Sequence, residues 1–141
     1  MNKNYLIIEY NPEIIAKLQK NKFNCIYGDA GDVEFVSEIN FKKAKLIIST
    51  IPDTEINQTL IHTIKKINTN ATIILTSHQI DDALELYKNG ADYVILPHFL
   101  GGEHISTLIE NYDNKLSDIL VEKINHVHEL KTRKEHGFVH P

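Results

Sequence analysis

The alternation of short apolar runs with helix-forming segments constrains the fold of this chain more than any other feature. Five runs rich in β-branched residues are each followed by a segment with apolar residues at helical spacing. Strands that alternate with helices pair in parallel, and strands covered on both faces read as continuous apolar runs. The predicted strands are residues 5–9, 25–27, 46–50, 72–76 and 93–96. The sequence therefore predicts the α/β class, with a mostly parallel sheet of about five strands.

Turn and cap residues set the expected limits of the helices between these strands. Asn11 and Pro12 signal a helix start, and Gly90 is expected to end the helix over residues 81–89. Thr54 is expected to cap a longer helix. Its inner face carries Ile56, Leu60, Ile64 and Ile67.

The carboxyl-terminal part is predicted to be helical. Gly101 and Gly102 are expected to open a helix with Ile105, Leu108 and Ile109 facing inward. A further apolar stripe runs from Leu116 to Leu130, charged on its other face, and is expected to pack on a partner or another copy. The predicted organisation is a domain over residues 1–110, a packing helix over 111–134 and a disordered tail over 135–141.

Length and composition narrow the class of protein. The 141 residues, 42% of them hydrophobic, suit one globular domain. A net charge of −4 argues against a nucleic-acid partner, because such binding requires a basic surface. The apolar runs are far shorter than the ~20 residues of a membrane span, and no signal peptide is visible. With Cys25 as the single cysteine, no internal disulfide can form. We expect a cytoplasmic location.

Four segments occur in one order at close spacing and together resemble a known family. They are residues 9–13 (EYNPE), 27–30 (YGDA), 48–53 (ISTIPD) and 90–98 (GADYVILPH). In this combination the chain resembles an RCK-type (TrkA-N, or KTN) nucleotide-binding regulatory domain with a Rossmann-like fold. Residues 97–103 (PHFLGGE) resemble in particular the cytoplasmic domain of Kef-type cation:proton antiporters. The resemblance covers roughly residues 5–108.

The resemblance implies a set of nucleotide-contacting residues. Glu9 corresponds to the acid that accepts hydrogen bonds from ribose hydroxyls and disfavours a 2′-phosphate. Asp29 could accept a hydrogen bond from the adenine amino group. The alternatives are a solvent-facing acid for Glu9 and a helix cap for Asp29. The residues implied to contact the cofactor are Glu9, Tyr10, Asn11, Gly28, Asp29, Ala30, Ser49, Thr50 and Ile51. Thr76, Ser77 and His78 are expected at the rim of the same edge.

One family feature is absent from this sequence. RCK-type domains hold the pyrophosphate at a Gly-x-Gly-x-x-Gly turn, and these 141 residues contain no such turn. The first strand here corresponds to the second strand of the family pattern. The Tyr5 and Leu46 strands are therefore expected to pair directly, leave a gap or receive a strand from elsewhere, and NAD(H) or AMP is expected to bind weakly or not at all.

The sequence contains histidine and aspartate pairs, but no recognisable metal or catalytic motif. His126 and His128 point to different helix faces, and His98 with His104 lacks a completing ligand set, so no metal is predicted. Asp81 and Asp82 are explained by the start of a helix. No nucleophile elbow, phosphate loop or zinc-protease motif is present, so we do not expect an enzyme.

The expected function is nucleotide sensing for a potassium or other monovalent cation transporter or channel. The partners would be further copies of this chain, the membrane transporter at the inner face of the membrane, and an adenine nucleotide. Two alternatives remain: an interaction module that has lost its nucleotide site, and a remnant of an NAD-dependent oxidoreductase.

Overall fold

Five parallel strands joined by helices make up the structure, a computed structural model. It describes residues 4–114 and 116–137, with side chains described over 4–110 and 121–137. The strands are β1 (Ile7–Glu9), β2 (Cys25–Tyr27), β3 (Leu46–Ile48), β4 (Thr72–Thr76) and β5 (Tyr93–Ile95). The predicted α/β class is confirmed, and each predicted strand is present, although three of them are shorter than expected.

The helices follow the strands as the alternation predicts. They are α1 (Pro12–Lys20), α2 (Val33–Glu38), α3 (Thr54–Ile67), α4 (Ile80–Asn89), α5 (Pro97–Asn114) and α6 (Leu116–Glu135). No helix in residues 4–114 and 116–137 combines the length and apolar character needed to cross a membrane.

The strands form two parallel ladders. β1 pairs with β2, placing Glu9 opposite Tyr27, and β4 pairs with β3 on one side and β5 on the other. Direct pairing of the strands at Tyr5 and Leu46, one of three expected alternatives, is not among the ladders that the structure describes. The chain divides into two compact units. The first unit contains the residues up to Gly28 and those from Gly102 onward, and the second is Asp29–Gly101.

The second unit contains a continuous apolar core. It is built by the inward faces of β4, β5, α2, α3 and α4, because these are the faces where apolar residues recur at strand and helix spacing. Each fully buried Leu or Ile there contributes about 1.5–3 kcal/mol of burial free energy. The core includes Val36, Leu60, Ile61, Ile64, Ile73, Leu75, Leu86 and Val94. As predicted, Gly90 ends α4 in the left-handed conformation (φ 117°), which glycine adopts without a steric penalty.

The first unit buries fewer apolar side chains. Among its described residues, Ile15 and Leu18 of α1 are the buried hydrophobic side chains. α1 starts where predicted, because the Asn11 side chain accepts a hydrogen bond from the Glu13 backbone N–H and Pro12 suits the first turn.

The expected boundaries at both α3 and α5 need correction. Asp53, not Thr54, caps α3, since the Asp53 carboxylate accepts from the Ile56 N–H at 3.0 Å. Gly101 and Gly102 do not open a helix but lie inside α5, which already begins at Pro97, a residue with a backbone suited to a first helical turn.

The apolar face of α5 is not buried as predicted. Ile105 and Ile109 are exposed, since no described element covers that side of α5, and Leu108 is half-buried. The predicted packing helix is α6. Of the expected tail, residues 138–141 lie outside the described part, while His136 and Gly137 form a turn. The division into 1–110, 111–134 and 135–141 stays a prediction.

Candidate functional site

The end of β1 holds a carboxylate in a fixed position. Glu9 Oε1 accepts hydrogen bonds from the backbone N–H groups of Tyr10 (3.0 Å) and Asn11 (2.9 Å). The chain folds this way because Asn11 must turn from the strand into α1, whose first turn it caps. Neither of these bonds uses Oε2, which has no hydrogen-bond partner within the part of the chain that the structure describes. The Glu9 side chain is therefore positioned in advance, with one oxygen ready to accept further hydrogen bonds.

Gly28 lies next to the Glu9 backbone, directly after the neighbouring strand β2. Its backbone N–H donates to the Glu9 carbonyl at 3.0 Å, which extends the β1–β2 ladder by one residue. Gly28 is buried, whereas Tyr10 and Tyr27 at the same strand ends are exposed. The structure thus brings together four of the predicted residues in the first unit: Glu9, Tyr10, Asn11 and Gly28.

Asp29 and Ala30 begin the second unit. The structure shows there whether Asp29 caps a helix, the alternative role expected for it. α2 is capped by Asp32, whose carboxylate accepts from the Glu34 and Phe35 N–H groups at 3.0 and 3.3 Å. Asp29 Oδ1 instead accepts from the Gly31 N–H at 2.8 Å in a tight turn. The Asp29 side chain is exposed and is not the helix cap, so the alternative reading of this residue is wrong.

Four buried polar residues collect where β3 and β4 end, and we call them the polar cluster. They are Ser49, Asn57, Thr76 and Ser77, with exposed fractions of 6%, 0%, 7% and 1%. The carboxyl ends of parallel strands are the edge at which open α/β sheets bind ligands. The structure therefore places the predicted Ser49 at that edge as a buried residue, with Thr50 exposed and Ile51 half-buried beside it.

Hydrogen bonds within the polar cluster fix the loop after β3. Asn57 Nδ2 donates to the Ile51 carbonyl at 2.8 Å and to the Thr76 carbonyl at 3.1 Å. Thr76 Oγ1 donates to the Ser49 carbonyl at 2.9 Å, and Ser49 Oγ accepts from the Ile51 N–H at 3.3 Å. The loop carrying Ser49, Thr50 and Ile51 is thus tied to the neighbouring strand.

Asn57 was missed by the sequence analysis, although a signal for it exists. It shares one helical stripe with Leu60, Ile61 and Ile64, and a polar residue within an apolar stripe indicates a buried hydrogen-bonding role. Its Oδ1 is buried without a hydrogen-bond partner in the described residues. Reversing the amide would place this oxygen against two carbonyls, so the orientation is fixed by the two bonds that Nδ2 donates.

Two histidines lie at the rim of the same edge. His78 follows β4, as predicted, and His98 lies in the first turn of α5, with the two ring centroids 5.6 Å apart. Elsewhere, His104 Nε2 lies 3.4 Å from Glu122 Oε2. Within the described ranges, no three His, Cys, Asp or Glu side chains converge in a way that could hold a metal ion.

Parallel strands joined by helices, with polar groups gathered at the carboxyl ends of the strands, define a Rossmann-like α/β domain. The sequence matches the TrkA-N domain family over residues 1–97, more than half of the chain. The chain belongs to the TrkA-N domain family, which confirms the resemblance seen in the four sequence segments.

Among curated proteins, Potassium channel protein 1 of Methanocaldococcus jannaschii is 27% identical to this chain over 111 residues. The match covers 77% of this chain and 33% of the channel protein, so the chain spans about a third of that relative's length.

Solved structures share the fold. The TrkA-N domain of inner membrane protein ybaL from Escherichia coli has a TM-score of 0.66 at 20% identity, covering 73% of this chain and 76% of that one. The Kef CTD of Shewanella denitrificans, in an AMP-bound form, has a TM-score of 0.58 at 12% identity. It covers 94% of this chain and 92% of its own.

Proposed function

We propose that this chain is a regulatory, adenine-nucleotide-sensing domain of a potassium or other monovalent cation transport system, located at the inner face of the membrane. The observation that carries the proposal is the Glu9 carboxylate, which is held by two backbone N–H groups with Oε2 left to accept hydrogen bonds. A ribose offers two neighbouring hydroxyls as donors, and Oε2, with its lone pairs free, can accept from them. The potassium channel relative and the AMP-bound Kef CTD support the transport role and the ligand class.

The ligand would be AMP or NAD(H). Glu9 would accept from the ribose. The family resemblance implies further that Asp29 accepts a hydrogen bond from the adenine amino group and that Ser49, Thr50 and Ile51 face the cofactor. A 2′-phosphate would be repelled by Glu9, which disfavours NADP. Because the sequence contains no glycine-rich turn to donate N–H groups to phosphates, binding is expected to be weak, roughly millimolar, or about −4 kcal/mol.

In this role the nucleotide changes an equilibrium and undergoes no reaction. A ligand with different affinities for two packing arrangements shifts the population between them, and a transporter attached to the domain would respond to that shift. The partners of the chain would be further copies of itself and the membrane transporter or channel.

A Glu9→Gln variant tests the proposal sharply. The amide oxygen can still accept from the Tyr10 and Asn11 N–H groups, so the loop is retained while the charge is lost. We expect the free energy of AMP binding, measured by calorimetry, to weaken by about 1.5–3 kcal/mol, the range for a hydrogen bond to a charged group. Glu13→Gln, in the first turn of α1, is the matched control and should leave affinity unchanged. Equal affinities for Glu9→Gln and the unmodified chain would refute the ribose role.

A second candidate, an interaction module, is favoured by the surface of α6. Val121, Ile124 and Leu130 lie on this helix with more than half of each side chain exposed. Exposed apolar side chains at helical spacing suit packing against another helix. One chain could perform both functions. AMP titration shows whether nucleotide sensing is one of them, since an interaction module that has lost its nucleotide site would show no binding.

A further inference from the structure

We propose that His78 and His98 form a binding site for a divalent transition metal ion of the zinc class at the carboxyl ends of β4 and β5. Both side chains are exposed and belong to the same compact unit. They are 20 positions apart in sequence, so the fold brings them together and no short sequence motif predicts their proximity. The proposal does not depend on nucleotide binding.

The separation of the rings suits a shared metal ion. With Zn–N distances of about 2.1 Å and tetrahedral coordination, two imidazoles on one ion have centroids roughly 5–6 Å apart. The observed centroid distance is 5.6 Å. The ring planes are inclined by 46°, so the rings are not stacked face to face.

Backbone contacts hold both histidines in place. The Ser77 N–H donates to the Ile95 carbonyl at 2.9 Å, which joins the end of β4 to the end of β5. Ser77 Oγ donates to the Gln79 carbonyl at 3.0 Å and closes the turn around His78. On the other side, the Phe99 and Leu100 N–H groups donate to the Leu96 carbonyl and fix the first turn of α5, which carries His98. These bonds fix the backbone positions from which the two imidazole side chains extend.

The ring nitrogens are available to a ligand. In the described part of the chain, neither imidazole makes a hydrogen bond, and neither has a carboxylate within 4 Å. Imidazole nitrogen suits Zn²⁺, Cu²⁺ and Ni²⁺, whereas Mg²⁺ and Ca²⁺ prefer oxygen ligands. Two protein nitrogens, with water completing the coordination shell, therefore favour Zn²⁺, Cu²⁺ and Ni²⁺ over Mg²⁺ and Ca²⁺. A bound ion would link the loop after β4 to the start of α5, next to the buried Ser77.

Calorimetric titration of the full chain with zinc chloride at pH 7.5 tests the proposal. We expect binding to the unmodified chain and a loss of about tenfold or more in affinity for either His78→Ala or His98→Ala. His62→Ala, an exposed histidine on α3, and His104→Ala, from the pair with Glu122, are the controls and should bind as the unmodified chain does. Magnesium chloride should give no binding.

Thermal unfolding without metal checks that each variant is folded, which the exposure of both side chains leads us to expect. Zinc should raise the melting temperature of the unmodified chain and of both control variants, but not of His78→Ala or His98→Ala. The proposal is overturned if the chain does not bind zinc at millimolar concentration, or if His78→Ala and His98→Ala bind it as tightly as the unmodified chain.

Discussion

The β1–β2 ladder and the β3–β4–β5 ladder differ in how many of their side chains are buried. In the second unit, β4 carries the fully buried Leu75 and Ile73 against α3 and α4. In the first unit, no residue of β1 or β2 is buried, and Tyr27 exposes 63% of its surface. Burial of apolar area is the main source of stability, so the second unit supplies most of it. The proposed ribose acid, Glu9, lies on the less stable ladder.

This difference matches the proposed role. Elements that respond to a ligand are drawn from the less stable part of a protein, because only there can a few kcal/mol of binding energy change a population. The second unit would serve as a rigid body, while the β1–β2 ladder and the Tyr10–Asn11 turn after β1 respond to the nucleotide.

The largest expected effect comes from truncating the core of the second unit. Leu75→Ala leaves a cavity at a fully buried position and should lower the free energy of unfolding by about 2–5 kcal/mol. Leu6→Ala, at a residue 45% exposed just before β1, is the matched control and should cost less than about 1 kcal/mol. Urea denaturation measures both. Equal losses would break the comparison between the ladders.

The polar cluster gives the next largest effect. Asn57→Ala removes the two donors that reach the Ile51 and Thr76 carbonyls and should cost about 1–3 kcal/mol of unfolding free energy, because buried carbonyls lose their partners. Asn70→Ala, at an exposed turn residue, should change stability by less than about 0.5 kcal/mol. If Asn57→Ala unfolds at the same urea concentration as the unmodified chain, the cluster does not hold the loop after β3.

The next prediction concerns the exposed surface of the first unit, where we expect copies of the chain to associate through α6. Ile124→Lys places a charge within the exposed apolar stripe and should weaken association about tenfold, or about 1.4 kcal/mol. Glu129→Gln, an exposed polar position on the same helix, should leave it unchanged. Light scattering over a concentration series provides the measurement, and a strictly monomeric mass for the unmodified chain at high concentration would contradict the association.

Local patterns were sufficient to predict the strands but not the residues that act through tertiary position. The apolar runs located β1 to β5 because strands buried on both faces leave a continuous signal, and Gly90 marked the end of α4 because few residues adopt its φ. The sequence does not distinguish Thr54 from Asp53 as the cap of α3, because both residue types suit that position and they are adjacent. At α5 the glycine pair and Pro97 both signal a helix start, and the structure begins the helix at Pro97.

The candidate site was predictable to a different extent in each unit. Glu9 was found from the resemblance, and its position at the strand end follows from the alternation. The role of Asn57 depends on two carbonyls from separate segments, and the approach of His78 to His98 depends on strand pairing. Neither arrangement leaves a pattern at fixed spacing in the sequence.

Amide hydrogen exchange with AMP tests most directly the claim that nucleotide binding acts on the first unit. At AMP concentrations ten times the dissociation constant, binding stabilises the bound form by about 1.4 kcal/mol, which slows exchange about tenfold where opening releases the ligand. We expect this slowing at the amides of Tyr10, Asn11 and Gly28, whose opening releases the ligand, with the amide of Asn70, in an exposed turn before the amino end of β4, unchanged. Unaltered exchange at these three amides at saturating AMP, or equal slowing at Asn70, would contradict the account.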